Sequence, residues 1–451
     1  MLKTFKRGGI HIPENKLTAG KEIINIPVPS EIVIPLSQHI GEAARCVVKT
    51  GDKVCKWDII AESQGRISAN IHSPVSGIVK RTGESRNAYG YYTNAVTIVQ
   101  EEETTGNDEK QEFKARTDAE IYKLSPDEII SAIDDAGIVG LGGAAFPTSL
   151  KLRAALESKV DVVIVNGVEC EPYLTNDHAL MLEETESIVT GIRYLLKAVK
   201  ARKAVIAIEN NKQDAIASFM QIVEDDPQIS VAVLKVKYPQ GGEKQLVDAV
   251  LKREVASGQL PVNAGALVQN VATVYAVFRA IKYGEPLTHR VITVAGQGVK
   301  NPGNYRVAIG TLLGHIIEFA GGVPEDAGKI VLGGPMMGHA ATFIDAPVTK
   351  RMSGILILSA NRSVNKVEPC IRCASCVNGC PMGLEPYLLM TLIEIDELEQ
   401  AENSLVKNCL ECGCCSYSCP SNRPILEYIR LGKSKIDAMI KNKDIKGSGK
   451  K

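Results

Sequence analysis

Eight of the twelve cysteines in this sequence fall into two copies of one spacing near its carboxy end. Cys370, Cys373, Cys376 and Cys380 are followed by Pro381; Cys409, Cys412, Cys415 and Cys419 are followed by Pro420. In C-x2-C-x2-C-x3-C-P the first three thiolates share a tight loop around a 4Fe–4S cube, while the fourth ligates the other cluster. The spacing therefore predicts one cluster on Cys370, Cys373, Cys376 and Cys419, and a second on Cys409, Cys412, Cys415 and Cys380. Structural zinc would use two ligand pairs with a longer spacer and gives no reason for the trailing proline. Disulfides would imply an exported chain, yet the basic opening MLKTFKRGG lacks the apolar stretch of a signal peptide. Cys414 is surplus and reads as a buried thiol beside a ligand; Cys46, Cys55 and Cys170 read as core thiols.

A second constellation begins at AGIVGLGGAAFPTSLKL, a glycine-rich loop that runs into a helical pattern. Backbone amides in such a loop can approach a phosphate closely, and the following helix adds its positive end. The loop is neither G-x-G-x-x-G in a strand-to-helix turn nor a Walker A, and glycine-rich turns are often only turns. Three further stretches follow in order: VNGVECEPYLTNDHALM, YPQGGEKQLV and LVQNVATVYAV.

The elements that must position these residues are legible in outline. A chain of 451 residues holds three or four domains at roughly 100–200 residues each. Basic and acidic residues balance at 52 each, so no long-range field favours nucleic acid. Apolar runs such as 161–165, 204–208 and 355–358 have strand length, far short of the roughly 20 residues that span a bilayer. The chain is therefore expected to stay in the reducing cytoplasm. The first hundred residues are Val/Ile-rich with frequent Gly, Pro and Ser, which predicts short strands. The acidic, polar run at 101–116 reads as a linker, and the Lys-rich end at 436–451 as a tail. Ser125-Pro126-Asp127-Glu128 is a helix start, with Ser125 as cap and Glu128 three residues on.

Three resemblances sharpen this outline. KTGDKVCKWDIIAESQGRISANIHSPVSGIVK resembles the hammerhead of lipoyl and biotinyl carrier domains, with Arg66 nearest the position of the modified lysine. Arginine cannot be acylated by lipoate or biotin, which implies a docking module without the carrier role. The four motifs between 140 and 277 resemble the NADH-oxidising flavoprotein subunit of respiratory complex I, which binds FMN in a modified Rossmann domain. The whole chain to about residue 435, opening with FKRGGIHIPENK, resembles more closely the RnfC family of the Rnf complex, a membrane-bound ferredoxin:NAD oxidoreductase.

The resemblance implies a multidomain α/β chain. Its parts are a lipoyl-like barrel-sandwich domain at 1–100, a Rossmann-like FMN/NADH domain at 117–286, a β-grasp SLBB module at 287–358 and an α-helical two-cluster ferredoxin domain at 359–435. It further implies that Gly140, Gly142 and Gly143 form the flavin phosphate loop, with Lys151 supplying charge and Phe146 stacking in the nicotinamide cleft. Asn166 and Glu169 would lie around the isoalloxazine. Tyr238, Gly241 and Glu243 match the second glycine loop, whose acid contacts the dinucleotide. Gln269, Asn270 and Thr273 fall on the motif that anchors the ribityl phosphate. Val139, Leu141, Ala145, Val168, Gly242 and Gln269 depart from the complex I pattern, chiefly where the dinucleotide binds. The alternative for Glu169, Glu171 and Glu243 is that of solvated loop carboxylates. The β-grasp module carries no residue that demands catalysis and reads as a spacer, with His315 and His339 structural.

Two 4Fe–4S clusters, FMN and NAD(H) are the cofactors so implied. The implied partners are the membrane ion-translocating subunits, a ferredoxin-like iron–sulfur subunit and, indirectly, ferredoxin, with the chain peripheral on the cytoplasmic face of the membrane. Two rivals remain open at this point: a soluble NADH-dependent flavin/iron–sulfur corrinoid reductase, and a flavin-free electron wire.

Overall fold

The computed structural model describes residues 2–101, 115–360 and 366–448, with side chains to residue 440. Most of the expected linker at 101–116 lies outside the described residues.

After β1 (Ile23–Asn25), seven strands build the first unit: β2 (Glu31–Pro35), β3 (Arg45–Cys46), β4 (Lys53–Val54), β5 (Ile59–Glu62), β6 (Ile71–His72), β7 (Gly77–Arg86) and β8 (Tyr92–Gln100). They form two antiparallel sheets, ordered β2-β8-β7-β4 and β3-β5-β6. Side chains alternate across a strand, so Ile32, Ile34, Val96 and Ile98 of one sheet meet Ile60 and Ile71 of the other in a shared core. Arg66 is exposed on the connection between β5 and β6.

The second unit contains α1 (Asp118–Lys123), α2 (Pro126–Asp135), α3 (Thr148–Glu157), β9 (Val162–Gly167), α4 (Asn176–Glu183), α5 (Thr185–Val199), β10 (Lys203–Glu209), α6 (Gln213–Ile222), β11 (Ile229–Leu234), α7 (Glu243–Leu251), β12 (Ala266–Asn270) and α8 (Val271–Tyr283). Its four strands are parallel, in the order β11-β10-β9-β12. A parallel sheet is covered on both faces, and Val162–Val165 and Ala204–Ile208 are accordingly buried, Val162 to Val165 facing two separate cores alternately. The Ser125 cap is present, its hydroxyl accepting from the Glu128 amide.

In the third unit β13 (His289–Gly296), β14 (Gly303–Ala308), α9 (Leu313–Phe319), β15 (Ala327–Leu332), β16 (His339–Ala341) and β17 (Gly354–Ser359) form a mixed sheet ordered β1-β14-β13-β17-β15-β16. Strand β1 is thus separated from the first unit with which residues 1–100 were grouped. Residues 3–10 also lie elsewhere: Lys3 bridges to Leu234, and Ile10 to Tyr238, in the second unit.

The fourth unit is helical: α10 (Ser375–Asn378), α11 (Pro386–Glu394), α12 (Leu398–Asn403), α13 (Cys414–Tyr417) and α14 (Ile425–Ser448). Helix α14 continues to Ser448, where a tail was expected from 436.

Candidate cofactor crevice and cysteine centre

From β9 the chain winds outward through β10 and β11, then crosses to the other side of β9 to form β12. Open α/β sheets bind ligands beyond the carboxyl ends of their strands at such a reversal. Asn166 of β9 and Asn270 of β12, which are register partners, stand there. Asn270 caps α8, its Oδ1 accepting from the Ala272 amide at 2.9 Å, and its Nδ2 donates to Asp177 Oδ2 at 2.6 Å.

The first glycine loop is tied over the start of α8. The Leu141 amide donates to Thr273 Oγ1 at 2.9 Å, and the Gly140 amide to the Phe146 carbonyl at 2.8 Å. Gly142 lies so close to Asn270 that an added Cβ would stand 3.3 Å from the asparagine Cβ. Gly143 has φ +124 and open space around it, a backbone conformation that only glycine adopts without strain. The second glycine loop is anchored opposite, with Asn166 Nδ2 donating to the Gly241 carbonyl at 2.9 Å. Lys151 of α3 and Glu243 at the start of α7 form an ion pair at 2.5 Å, joining elements that flank the two loops. Phe146 is half-buried.

These residues fit an FMN phosphate and ring. Exposed amides at 142–144 and the positive end of α8 suit an anion. The Gln269 Nε2 is buried and has no hydrogen-bond partner among the described residues, an unusual state that a bound acceptor would relieve.

The structure decides between enclosure and solvation for the three loop carboxylates and places Tyr238. Glu169 is no solvated loop carboxylate: its side chain is 4% exposed, Oε1 accepts from the Asp177 amide at 2.7 Å, and burial pushes its carboxyl up to about 7. Glu171 is enclosed as well, accepting from the amides of Met336 at 3.1 Å and Met337 at 2.8 Å, and burial raises it to about 7. Glu243 is half-exposed but paired. Tyr238, grouped with the second glycine loop as a cofactor contact, is buried and turned toward the cysteines; its hydroxyl donates to the Cys412 carbonyl at 2.8 Å and lies 3.3 Å from Glu171 Oε1.

The cysteine repeats fold alike. Arg372 and Ala374 in the first, and Glu411 and Gly413 in the second, occupy the same sequence positions and all have positive φ, which curls each loop so that its thiolates face inward before α10 or α13 begins. These two short helices pack together. Cys380, Cys409, Cys412, Cys414 and Cys415 line a single cavity. The Leu384 amide lies 3.4 Å from Cys380 Sγ and the Glu411 amide 3.3 Å from Cys409 Sγ; such contacts raise the potential of a sulfur-bound cluster. Cys376 and Cys419 share one apolar cluster, whereas Cys370 and Cys373 are exposed. Among the described residues no three His, Cys, Asp or Glu side chains converge on a single-ion site; four thiolates around a cube stand farther apart than ligands of one ion.

Cys414 is buried against Tyr238. Cys55, expected in the core, is exposed just past the Lys53–Val54 strand; Cys46 and Cys170 are partly buried. The Cys170 thiol accepts from the Gly241 amide at 3.4 Å. Sequence reasoning missed Lys16, Asp177 and Arg290. Arg290, fully enclosed in the third unit, donates to the Leu141 carbonyl at 3.1 Å and so holds the first glycine loop from outside its own domain. A cavity beside that loop is lined by Leu141, Asp177, Ala272, Tyr275 and Arg290.

Comparison with known proteins agrees with this layout. Family models described as RnfC barrel sandwich hybrid domain, Nuo51 FMN-binding domain, SLBB domain and 4Fe-4S dicluster domain match residues 3–103, 133–279, 291–340 and 362–420 respectively. The chain is 42% identical over 438 residues, 96% of its length and 94% of the relative's, to the C-type subunit of the proton-translocating ferredoxin:NAD(+) oxidoreductase complex of Clostridium ljungdahlii. It is 40% identical over 441 residues to the corresponding subunit of the ion-translocating oxidoreductase complex of Rhodobacter capsulatus, covering 96% of this chain and 84% of that one. The corresponding subunit of the Na(+)-translocating ferredoxin:NAD(+) oxidoreductase complex of Acetobacterium woodii is 38% identical over 437 residues, with 96% and 97% covered. In fold, the chain is similar to a chain of an NAD+-reducing [NiFe]-hydrogenase, with TM-score 0.50 at 19% identity over 68% of this chain and 63% of that one.

Proposed function

Since this chain belongs to the RnfC family of ion-translocating ferredoxin:NAD+ oxidoreductase complexes, with FMN-binding and 4Fe–4S dicluster domains, we propose that its own crevice is where NAD(H) exchanges electrons with the complex. In this reading Gly140, Gly142 and Gly143, the start of α8, Gln269, Asn270 and Thr273 hold the FMN phosphate and ribityl chain. Asn166 and Glu169 border the ring. Lys151 supplies charge near the flavin, and Phe146, Gly241 and Glu243 orient the dinucleotide.

NADH yields two electrons as hydride whereas a 4Fe–4S cluster takes one, and bound FMN supplies the conversion between them. The protein need provide no acid or base for hydride transfer; its residues orient the rings and exclude water. Cys409, Cys412, Cys415 and Cys380 hold the cluster nearer the crevice. Cys370, Cys373, Cys376 and Cys419 hold the other, with two of its ligands at the surface where a partner can reach it. The observation that carries this reading is the Tyr238 hydroxyl on the Cys412 carbonyl, because it joins the second glycine loop directly to a cysteine loop.

No described helix is long and apolar enough to cross a membrane, so ion movement is assigned to other Rnf subunits and this chain to a peripheral position on the cytoplasmic face. A ferredoxin-like iron–sulfur protein of the complex is the partner proposed at the exposed cysteines.

The test is anaerobic titration of the reconstituted chain with NADH, following flavin absorbance and cluster EPR. About one FMN bleached per chain with about eight irons present, and electrons then on clusters, supports the proposal. Iron without bound flavin or any NADH response makes the chain an electron wire.

A further inference from the structure

The amino-terminal segment passes behind the Glu169–Leu174 loop, and Lys16 reaches into it. Its Nζ lies 2.8 Å from the Glu169 carbonyl, 2.9 Å from that of Glu171 and 2.6 Å from that of Leu174. An ammonium has three N–H donors and no acceptor, and a neutral amine only two N–H. Three converging carbonyl oxygens therefore select the charged form. The side chain is 13% exposed, and its Nζ also stands 3.9 Å from Glu169 Oε2, a buried oxygen with no hydrogen-bond partner among the described residues.

The clasped loop is held in an unfavourable backbone conformation. Glu169 and Tyr173 have φ +47 and +68, left-handed backbone that persists in non-glycine residues only where the surroundings over-determine it. The same segment adds two contacts: the Tyr173 amide donates to the Glu14 carbonyl at 2.9 Å, and Thr18 and Thr175 hydroxyls meet at 2.5 Å. Lys212 also reaches the loop's start, donating to the Val168 carbonyl at 2.8 Å and lying 3.8 Å from Glu209.

We propose that Lys16 is a positioning residue of the flavin site: its ammonium fixes the Glu169–Leu174 loop from behind and sets a positive charge beneath the loop that borders the ring. This rests on the flavin reading above. A buried cation favours added negative charge nearby, so Lys16 makes the bound flavin easier to reduce.

The experiment uses the full reconstituted chain, native, Lys16→Met and Lys16→Arg, with FMN dissociation constants, flavin midpoint potentials and iron content. Lys16→Met is expected to weaken FMN binding tenfold or more and to move the flavin potential negative, with iron unchanged. Lys16→Arg keeps the charge but not the compact three-donor head, so its FMN affinity falls while the potential stays near native. Native affinity and potential in Lys16→Met overturn the proposal. Should that variant not fold, native FMN affinity in Lys16→Arg overturns it. Failure of the native chain to bind FMN at all is a different result, and it removes the flavin reading itself.

Discussion

Tyr238 and Cys412 are 174 residues apart, yet the hydroxyl of one donates to the carbonyl of the other at 2.8 Å inside the protein. The same hydroxyl lies against Glu171, which in turn accepts from the Met336 and Met337 amides. One side chain of the flavin-type domain therefore touches the cysteine domain and, through one carboxylate, the β-grasp turn. The expected spacer role of the β-grasp module acquires a specific form here: its Met336–Met337 turn is a joint between the other two units.

Replacing Tyr238 by Phe leaves Glu171 and the Cys412 carbonyl short of a donor, which should cost about 1–3 kcal/mol. FMN and iron contents are expected to remain native while NADH-driven cluster reduction slows. Stopped-flow absorbance beside thermal unfolding separates the two effects, and an unchanged reduction rate counts against the joint.

Cys380→Ser removes a ligand that belongs by sequence to the first repeat but lines a cavity with Cys409, Cys412, Cys414 and Cys415. Its iron content should fall to about half, and its residual EPR spectrum should match that of Cys409→Ser and differ from that of Cys370→Ser. A match to Cys370→Ser would mean that each repeat holds its own cluster.

Gly143→Val places a branched side chain at φ +124, a strain of about 1–3 kcal/mol. Relief by moving the loop would misalign its amides, so FMN affinity should drop by about tenfold or more with both clusters retained. Equilibrium dialysis with iron analysis reads both quantities.

Lys350 joins three units from a fully buried position, its Nζ donating to the Asn70 and Gly137 carbonyls at 2.6 Å each. Burial lowers its pKa to about 7, below the unfolded value near 10.5, so between these limits the unfolded chain binds more protons than the native one. Stability from this group is therefore lowest below pH 7 and rises as pH increases toward 10.5, by at most about 1.4 kcal/mol per pH unit. Denaturation midpoints from pH 7 to 9.5 should climb for the native chain relative to Lys350→Met. Parallel pH profiles for the two would refute the assignment.

The cysteine centre was legible because its information is local. Spacing of two and three residues decides which thiolates can share a loop, and the repeat at Cys370 and Cys409 announces itself without any tertiary knowledge. The apolar runs that became β9 and β10, and the Ser125 cap, were legible for the same reason: each depends on neighbours within a few positions. The glycine loops were visible as loops, and their resemblance to a flavoprotein family supplied what their spacing alone did not.

Residues whose roles depend on distant neighbours left no such trace. For Glu169 and Glu171 the sequence leaves solvation open as an alternative, and only the folded chain shows them enclosed by Lys16 and by the Met336–Met337 turn. Tyr238 was grouped with its sequence neighbours, although its side chain leaves them for Cys412. Residues 3–25 were counted with the strands that follow, but a three-residue strand such as β1 takes its partner from whichever sheet edge is open. By itself the sequence determined the domain order and the twofold repeat of the cysteine loops, because short-range spacing and backbone sterics fix these. The tertiary structure alone decided which charges are buried, which loop faces which cysteine and where the amino-terminal segment lies, because those follow from packing between residues whose separation along the chain leaves no periodic signal.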